Sequence, residues 1–310
     1  MSMRVLHGGV LSLLQDAGRF GAHRLGLTNG GPLDLEAFHY CNRLLQNEAD
    51  CCVVEVSVGG LQLESLVDTW VCLTGAEMPL LINDQECERW CVHPVAAGDR
   101  VSVEYAVRGC RAYFGVAGGF RIAPYLGSAS TVVREGVGGL QGIAVQRNDE
   151  LPCRANARRK RLYLQRSEQP RYPSQATVRV IPGYQQRHFS RTEQRRFFGA
   201  PYTVTERSDR MGYRLSGSAV SCDINGVLSE GICHGAIQIP PDGQPIVLLN
   251  DRQTIGGYPK IGAALRPDAA RLAQLRPGDT VHFAAVTPGT ARRILSLEQR
   301  FTLRKTLREH

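Results

Sequence analysis

Short runs of β-branched and aromatic residues, each bounded by glycine, proline, aspartate or asparagine, recur along the chain at 53–58, 70–73, 101–105, 111–116, 178–181, 202–205, 236–239, 246–249 and 280–284. Runs of this length and content predict strands. Helical spacing is rarer. At 32–47 the apolar residues Leu35, Phe38, Cys41, Leu44 and Leu45 recur three and four apart, which predicts one amphipathic helix closed by Asn47. Ser190 followed by Glu193 forms a capping box for a short helix, and Pro267 opens a second that ends before Pro277. The stretch 290–307 sets Ile294, Leu297, Phe301 and Leu307 on one face and reads as a basic surface helix. Strands dispersed without regularly alternating helices argue against a doubly wound sheet. They predict a mainly β protein built from antiparallel barrels or sandwiches.

A chain of 310 residues exceeds the usual single-domain size, so two domains are expected. Hydrophobic periodicity lapses over 148–177, where arginine and proline accumulate, and this marks the boundary. The expected division is a β-rich domain at 1–150, a basic linker at 151–176, a second β domain at 177–287 and a basic helical tail at 288–310. One internal echo links the halves. Ala97-Gly98-Asp99-Arg100-Val101 and Pro277-Gly278-Asp279-Thr280-Val281 each pair a Gly-Asp turn with an alternating strand.

The net charge of +8 is unevenly placed. Arg154, Arg158, Arg159, Lys160, Arg161, Arg166 and Arg171 crowd one stretch, and the tail carries a second basic group. The first stretch lacks the interleaved aromatics that stack bases, and no nucleic-acid module pattern is present, so solvated basic surfaces are expected. The start of the chain, with Arg4 and His7, lacks the apolar core of a signal peptide. The ten cysteines are therefore expected as thiols in a reducing cytoplasm. Cys87, Cys91 and His93 faintly resemble a zinc site, but a second tight pair is missing and no metal is assigned. No apolar run approaches the ~20 residues of a membrane span.

Chemistry concentrates at 228–262, where glycines and prolines punctuate polar residues. Asp251, Arg252, Gln253 and Thr254 leave the apolar run 246–249, and Gly256, Gly257, Tyr258 and Lys260 follow on a glycine turn. Strand ends of this kind are where sites are built. The segment 208–215 adds Asp209, Arg210 and Arg214; Arg210 is suited to fork onto a carboxylate or phosphate, and Arg214 reads equally as a solvent-facing strand residue. Near the N-terminus, Gln15, Asp16, Arg19 and Asp34 lie on glycine-rich loops whose backbone N–H groups suit an anion. The structural alternative is that Asp16 pairs with Arg19 and that Asp34 starts the helix. No Gly-x-x-x-x-Gly-Lys-Ser/Thr loop and no Gly-x-Ser-x-Gly elbow occurs, and His188, His234 and His282 have no partner at a diagnostic spacing.

The motifs QDAGRFG, GGPLD, EVSVGGLQL, LTGAEM, GVAGGF, LGSASTVVREGVGGLQG, SDRMGYRLSG, LSEG, IQIPPDGQPIVLLNDRQTIGGYPKIG and RPGDTVHF, in this order over about 4–286, resemble one family. It is the biotin-dependent carboxyltransferase-like family, also called allophanate hydrolase subunit two or kinase-inhibitor antagonists, in the branch of the bacterial 5-oxoprolinase C subunits. The resemblance implies two β-barrel-like domains with a cyclophilin-like barrel and few short helices. It implies an ATP-dependent opening of 5-oxo-L-proline to L-glutamate through a phosphorylated lactam, with ATP and magnesium as cofactors. The implied partners are the two other 5-oxoprolinase subunits, the kinase-inhibitor-like B subunit and the lactam-utilisation-type A subunit. On this reading Asp209, Arg210, Asp251, Arg252 and Lys260 are the catalytic candidates. Arg210, Arg252 and Lys260 neutralise phosphoryl or carboxylate charge, and Asp16, Asp209 or Asp251 holds magnesium or takes a proton. Gln15, Asp16, Arg19, Asp34, Gln253, Thr254, Gly256, Gly257 and Tyr258 are the substrate-binding candidates. The chain departs from the family pattern at Thr28-Asn29, Ile255 and Arg147-Asn148-Asp149. Two alternatives stay open. One is a carboxybiotin-dependent carboxyltransferase on urea or a related amide, with biotin on another protein. The other is a non-catalytic protein that sequesters a kinase inhibitor.

Overall fold

The computed structural model describes every residue except 157–159, 225 and 303. Arg158 and Arg159 of the basic stretch therefore lie outside the described residues. The chain forms two compact units. One comprises Met1–Ala22, Asn29–Tyr172 and Thr302–His310, and the other His23–Thr28 and Pro173–Phe301.

The first unit is built on two antiparallel sheets. One runs in the order Glu150–Pro152, Ser2–Gly8, Leu61–Ser65, Arg100–Val103, Leu80–Ile82, Gln85–Cys87. The other runs Leu11–Gln15, Val53–Ser57, Arg108–Val116, Thr69–Glu77, Val92–Val95. Met3, Val5, Leu63 and Val101 of the first sheet share one buried core with Val54, Val56, Leu73 and Phe114 of the second. The second sheet is buried on its other face too, where helix α1 (Leu35–Leu44) packs Phe38, Tyr40, Cys41 and Leu44 against Val53, Cys72 and Tyr113. That explains why Val53–Ser57 is buried at every position instead of alternating. Leu162–Leu164, within the stretch whose composition predicts a linker, pairs with Leu307–Glu309.

The second unit is a closed barrel in the order Gln175–Pro182, Lys260–Ala264, Ala236–Gln238, Ile246–Leu248, Gly212–Gly217, Tyr202–Val204, Thr280–Ala285. Closure comes from a parallel pairing of Gln175–Pro182 with Thr280–Ala285; the other ladders are antiparallel. Phe197 of helix α2 (Arg191–Gly199) stacks on Phe283, with ring centroids 4.4 Å apart. Ser190 caps α2 by accepting from the Glu193 amide at 3.3 Å, as the capping box predicts. Helix α3 (Arg266–Leu272) holds the fully buried Asp268, which accepts from Arg179 Nε and Nη2 at 2.6 Å each. Helix α4 (Pro288–Thr302) leaves Leu297 and Phe301 exposed. No described helix is long and apolar enough to cross a membrane.

The sequence echo is a real structural repeat at the level of one turn. Asp99 accepts from the Ala96 amide at 2.7 Å and Asp279 from the Arg276 amide at 2.8 Å. Gly98 and Gly278 adopt φ of 95° and 93°. The strands they launch differ: Arg100–Val103 is an interior strand of an open sheet, whereas Thr280–Ala285 closes the barrel.

Candidate functional site

The segment 228–262 contributes three strands to the barrel: Ala236–Gln238, Ile246–Leu248 and the start of Lys260–Ala264. A small ladder, Glu230–Gly231 with Ile255–Gly256, closes the turn region between them. The expected charged candidates do not project together from it. Arg210 and Asp251 are buried and bound to one another by a two-pronged pair, Nε to Oδ2 at 2.8 Å and Nη2 to Oδ1 at 3.0 Å. Arg252 is also buried, donating through Nε to the Ile232 carbonyl at 3.1 Å and through Nη1 to the Leu249 carbonyl at 3.2 Å. Burial pushes its pKa down, partly countered by Cys233 and Asp251. These arginines fasten the loop to the barrel. Asp209 is exposed, and its Oδ1 accepts from the Met211 and Gly212 amides, closing its own turn.

Lys260 stands at a polar junction. Its ammonium meets the carboxylate of Glu230, which also accepts from the Tyr184 hydroxyl and, at 2.8 Å, from Gln185 Nε2. Gln185 Oε1 in turn accepts from the Lys260 amide at 2.7 Å. Lys260 and then Tyr184 hold the Glu230 carboxyl below its ordinary pKa. No local sequence signal singles out Glu230; only its place opposite Gly256 in the ladder brings it to Lys260.

Gln238, the strand partner of Lys260, lines a pocket of about 380 Å³. Among its walls are Asp209, Gln253 and Tyr258 of the sequence candidates, together with Arg214 and Gln238. Gln238 is 1% exposed, and its Nε2 has no hydrogen-bond partner among the described residues. An orphaned buried donor costs about 1–3 kcal/mol, so it calls for an explanation. Gly256 abuts it: a Cβ there would lie 2.9 Å from Gln238 Nε2, 3.5 Å from Gln253 Nε2 and 2.5 Å from Ile232 Cδ1. Gly257 is tight for a different reason, its Cβ position lying 3.0 Å from the Val227 carbonyl oxygen. Thr254 is half-buried and its carbonyl accepts from the Ile232 amide at 3.0 Å. The signal that points to Gln238 in sequence is a polar residue interrupting the apolar strand Ala-Ile-Gln-Ile.

In the first unit the N-terminal candidates form a separate, inward-facing set. Gln15 bridges the Thr131 carbonyl (2.9 Å) and the Gly31 amide (2.9 Å). Asp16 accepts from Gly18 N, Ser128 Oγ, Ala129 N and Ser130 Oγ at 2.5–3.0 Å. Arg19, fully buried, donates to the carbonyls of Tyr125, Ser128 and Ser130. Asp16 and Arg19 therefore do not pair with each other: each instead ties down the loop at 125–131. Gly138 covers that loop so closely that a Cβ would fall 1.9 Å from the Ser130 oxygen. Asp34 does start the helix, capping α1 through the Ala37 amide at 3.1 Å and accepting from the Tyr172 hydroxyl at 3.1 Å.

The carboxylates expected to hold magnesium are thus already engaged: Asp16 by four donors, Asp209 by its turn, Asp251 by Arg210. Asp209 is the exposed one of the three, with only its Oδ1 committed to the turn. A different group, Glu88, Cys91 and His310, brings one ligand atom each within 4.8 Å. Cys87 and His93 are not in it; His93 Nε2 bonds the Glu88 carbonyl at 2.7 Å. Burial keeps the Cys91 thiol pKa raised, against the nearby Arg161.

A family model of the carboxyltransferase domain, subdomain A and B, matches residues 25–285. The chain belongs to that family. Within it, the chain is 33% identical over 300 residues to the 5-oxoprolinase C subunit of Escherichia coli, a match covering 96% of each chain. Its fold superimposes on the crystal structure of TTHA0988 with a TM-score of 0.79 at 30% identity, covering 91% of this chain and 55% of that one. The Kluyveromyces lactis urea amidolyase shares the carboxyltransferase fold, with a TM-score of 0.90 at 24% identity. There the chain spans 98% of its own length but only 20% of the larger protein.

Proposed function

We propose that this chain is one component of an ATP-dependent 5-oxoprolinase, which opens 5-oxo-L-proline to L-glutamate in the cytoplasm. The observation that carries the reading is the match to the 5-oxoprolinase C subunit along nearly the whole length of both proteins. The urea-processing relative carries this fold as a fifth of a much longer chain. Amide resonance stabilises the lactam, so its hydrolysis is coupled to ATP: transfer of the γ-phosphoryl group to the lactam oxygen gives an electrophile that water attacks, releasing phosphate and glutamate.

The work is divided among three proteins in this reading. Asp16 and Asp251 are engaged within the fold, so in this reading ATP and magnesium are assigned to the partners, the kinase-inhibitor-like and lactam-utilisation-type subunits of the complex. The test is glutamate release from 5-oxo-L-proline and ATP by the three-protein mixture, omitting each chain in turn. Glutamate that forms equally without this chain overturns the proposal, and carboxylation of urea by a carboxybiotin donor would move it to the carboxyltransferase reading.

A further inference from the structure

We infer that the pocket walled by Gln238, Gln253 and Arg214 is where a small cyclic amide bearing a carboxylate is held, an inference that rests on the 5-oxoprolinase reading for the ligand's identity. The volume of about 380 Å³ falls within the ~300–1,000 Å³ typical of small-molecule sites. Its interior is chemically asymmetric. Met211, Pro240, Ile246 and Leu248 give an apolar side suited to ring methylenes. Gln238 and Gln253 also line the pocket, and their carboxamide nitrogens both lie within 3.5 Å of the point where a Gly256 Cβ would sit. A lactam oxygen placed between them supplies the acceptor that Gln238 Nε2 lacks among the described residues. Position 256 takes glycine because a Cβ there would press on Gln238 Nε2 at 2.9 Å and on Ile232 Cδ1 at 2.5 Å.

Charge selects within this class. Arg214 is exposed and is the only cation in the pocket wall among the described residues. It is the natural partner for the carboxylate of 5-oxo-L-proline. Asp209 and Asp242 are also in the wall, each with Oδ1 turned to amides of its own turn, Met211 and Gly212 for the first and Gln244 for the second. Two acids against one base repel a polyphosphate, which separates this pocket from any ATP site, and still leave a guanidinium for one carboxylate.

The experiment compares wild type with Gln238→Met and Arg214→Met, in two formats. In the three-protein complex, KM for 5-oxo-L-proline rises about tenfold for each variant while kcat changes less, the effect of losing one hydrogen bond or one exposed charge contact. In the isolated chain, amide-proton NMR titrations use 5-oxo-L-proline and 2-pyrrolidinone, the same lactam without the carboxylate. Gln238→Met weakens both ligands, and Arg214→Met weakens only the first. Thermal melts confirm that each variant is folded. Wild-type KM for both variants in an active complex overturns the site while leaving the 5-oxoprolinase reading intact. An inactive wild-type complex whose isolated chain shows Gln238-dependent lactam binding keeps the site and overturns the reading. Absence of any lactam-induced shift at these residues overturns the site.

Discussion

The guanidinium of Arg210 grips the carboxylate of Asp251 in a buried fork, with Nε–Oδ2 and Nη2–Oδ1 distances of 2.8 and 3.0 Å. The backbone repeats the link, since the Asp251 amide donates to the Arg210 carbonyl at 3.0 Å. Removing one partner of a buried pair leaves the other charge in a low-dielectric site, which costs about 3–5 kcal/mol. Asp251→Asn and Arg210→Met should each lower stability by that order in urea titrations, and the double variant Arg210→Met/Asp251→Leu should lose much less than the sum. A double variant as unstable as the sum would show that the pair is not the unit that matters. A fall in turnover without any loss of stability would return the two residues to a direct catalytic role.

His234 supplies a pH signature. Burial, with the charges of Arg252 and Arg266 behind it, lowers its pKa from 6.5 to about 4, against a favourable contact with Asn250. Between those values the unfolded chain holds a proton that the folded chain does not, so stability rises with pH across the window and is lost as pH falls from 6.5 towards 4. The contribution is on the order of 3 kcal/mol at most, reduced where solvent reaches the ring. His234→Gln should flatten the urea midpoint between these pH values. An unchanged slope in that variant would assign the dependence to other groups.

The strands legible in the sequence are those whose β-branched and aromatic content is decided locally, such as Val53–Ser57 and Thr280–Ala285. Gly212–Gly217 and Lys260–Ala264 are not, because glycine and charge mask their propensity and only barrel pairing makes them strands. The parallel closure between Gln175–Pro182 and Thr280–Ala285 is likewise invisible to any local window. At the site, Asp34 can be placed because a helix cap is a short-range signal. Arg210 and Arg252 read as ligand-facing because residue chemistry alone does not distinguish a guanidinium aimed at solvent from one aimed at carbonyls. Glu230 and Gln238 depend on ladders that set them opposite Gly256 and Lys260.

The repeated Gly-Asp turn allows an internal control. Gly98 and Gly278 have nearly equal positive φ, and a Cβ at either would meet nothing within 4 Å. Steric clash is thus excluded, and only backbone strain remains, about 1–2 kcal/mol for an L-residue in this region. Gly98→Ala and Gly278→Ala should therefore destabilise by similar amounts, read as matching shifts of the urea midpoints. A difference of several kcal/mol between them would mean that the turns are alike in geometry but not in what they support.

Glu230 and Lys260 carry the last prediction, because their strand partners are Gly256 and Gln238. The Lys260 ammonium, then the Tyr184 hydroxyl, depress the Glu230 pKa below 4.5. A depressed carboxyl contributes stability that is complete above its unfolded pKa and disappears as pH falls through the folded value. Wild type should exceed Glu230→Gln by a constant margin above pH 4.5, and the two curves should converge in more acidic buffer. Lys260→Met removes the main cause and should bring the Glu230 pKa back up, visible in a carboxyl-carbon NMR titration. In the complete complex, Lys260→Met should lower turnover at least tenfold if its ammonium also balances charge on the substrate, a change of about 1.4 kcal/mol in the barrier. Turnover equal to wild type, with the Glu230 titration shifted as expected, would confine Lys260 to holding the loop and remove it from the reaction.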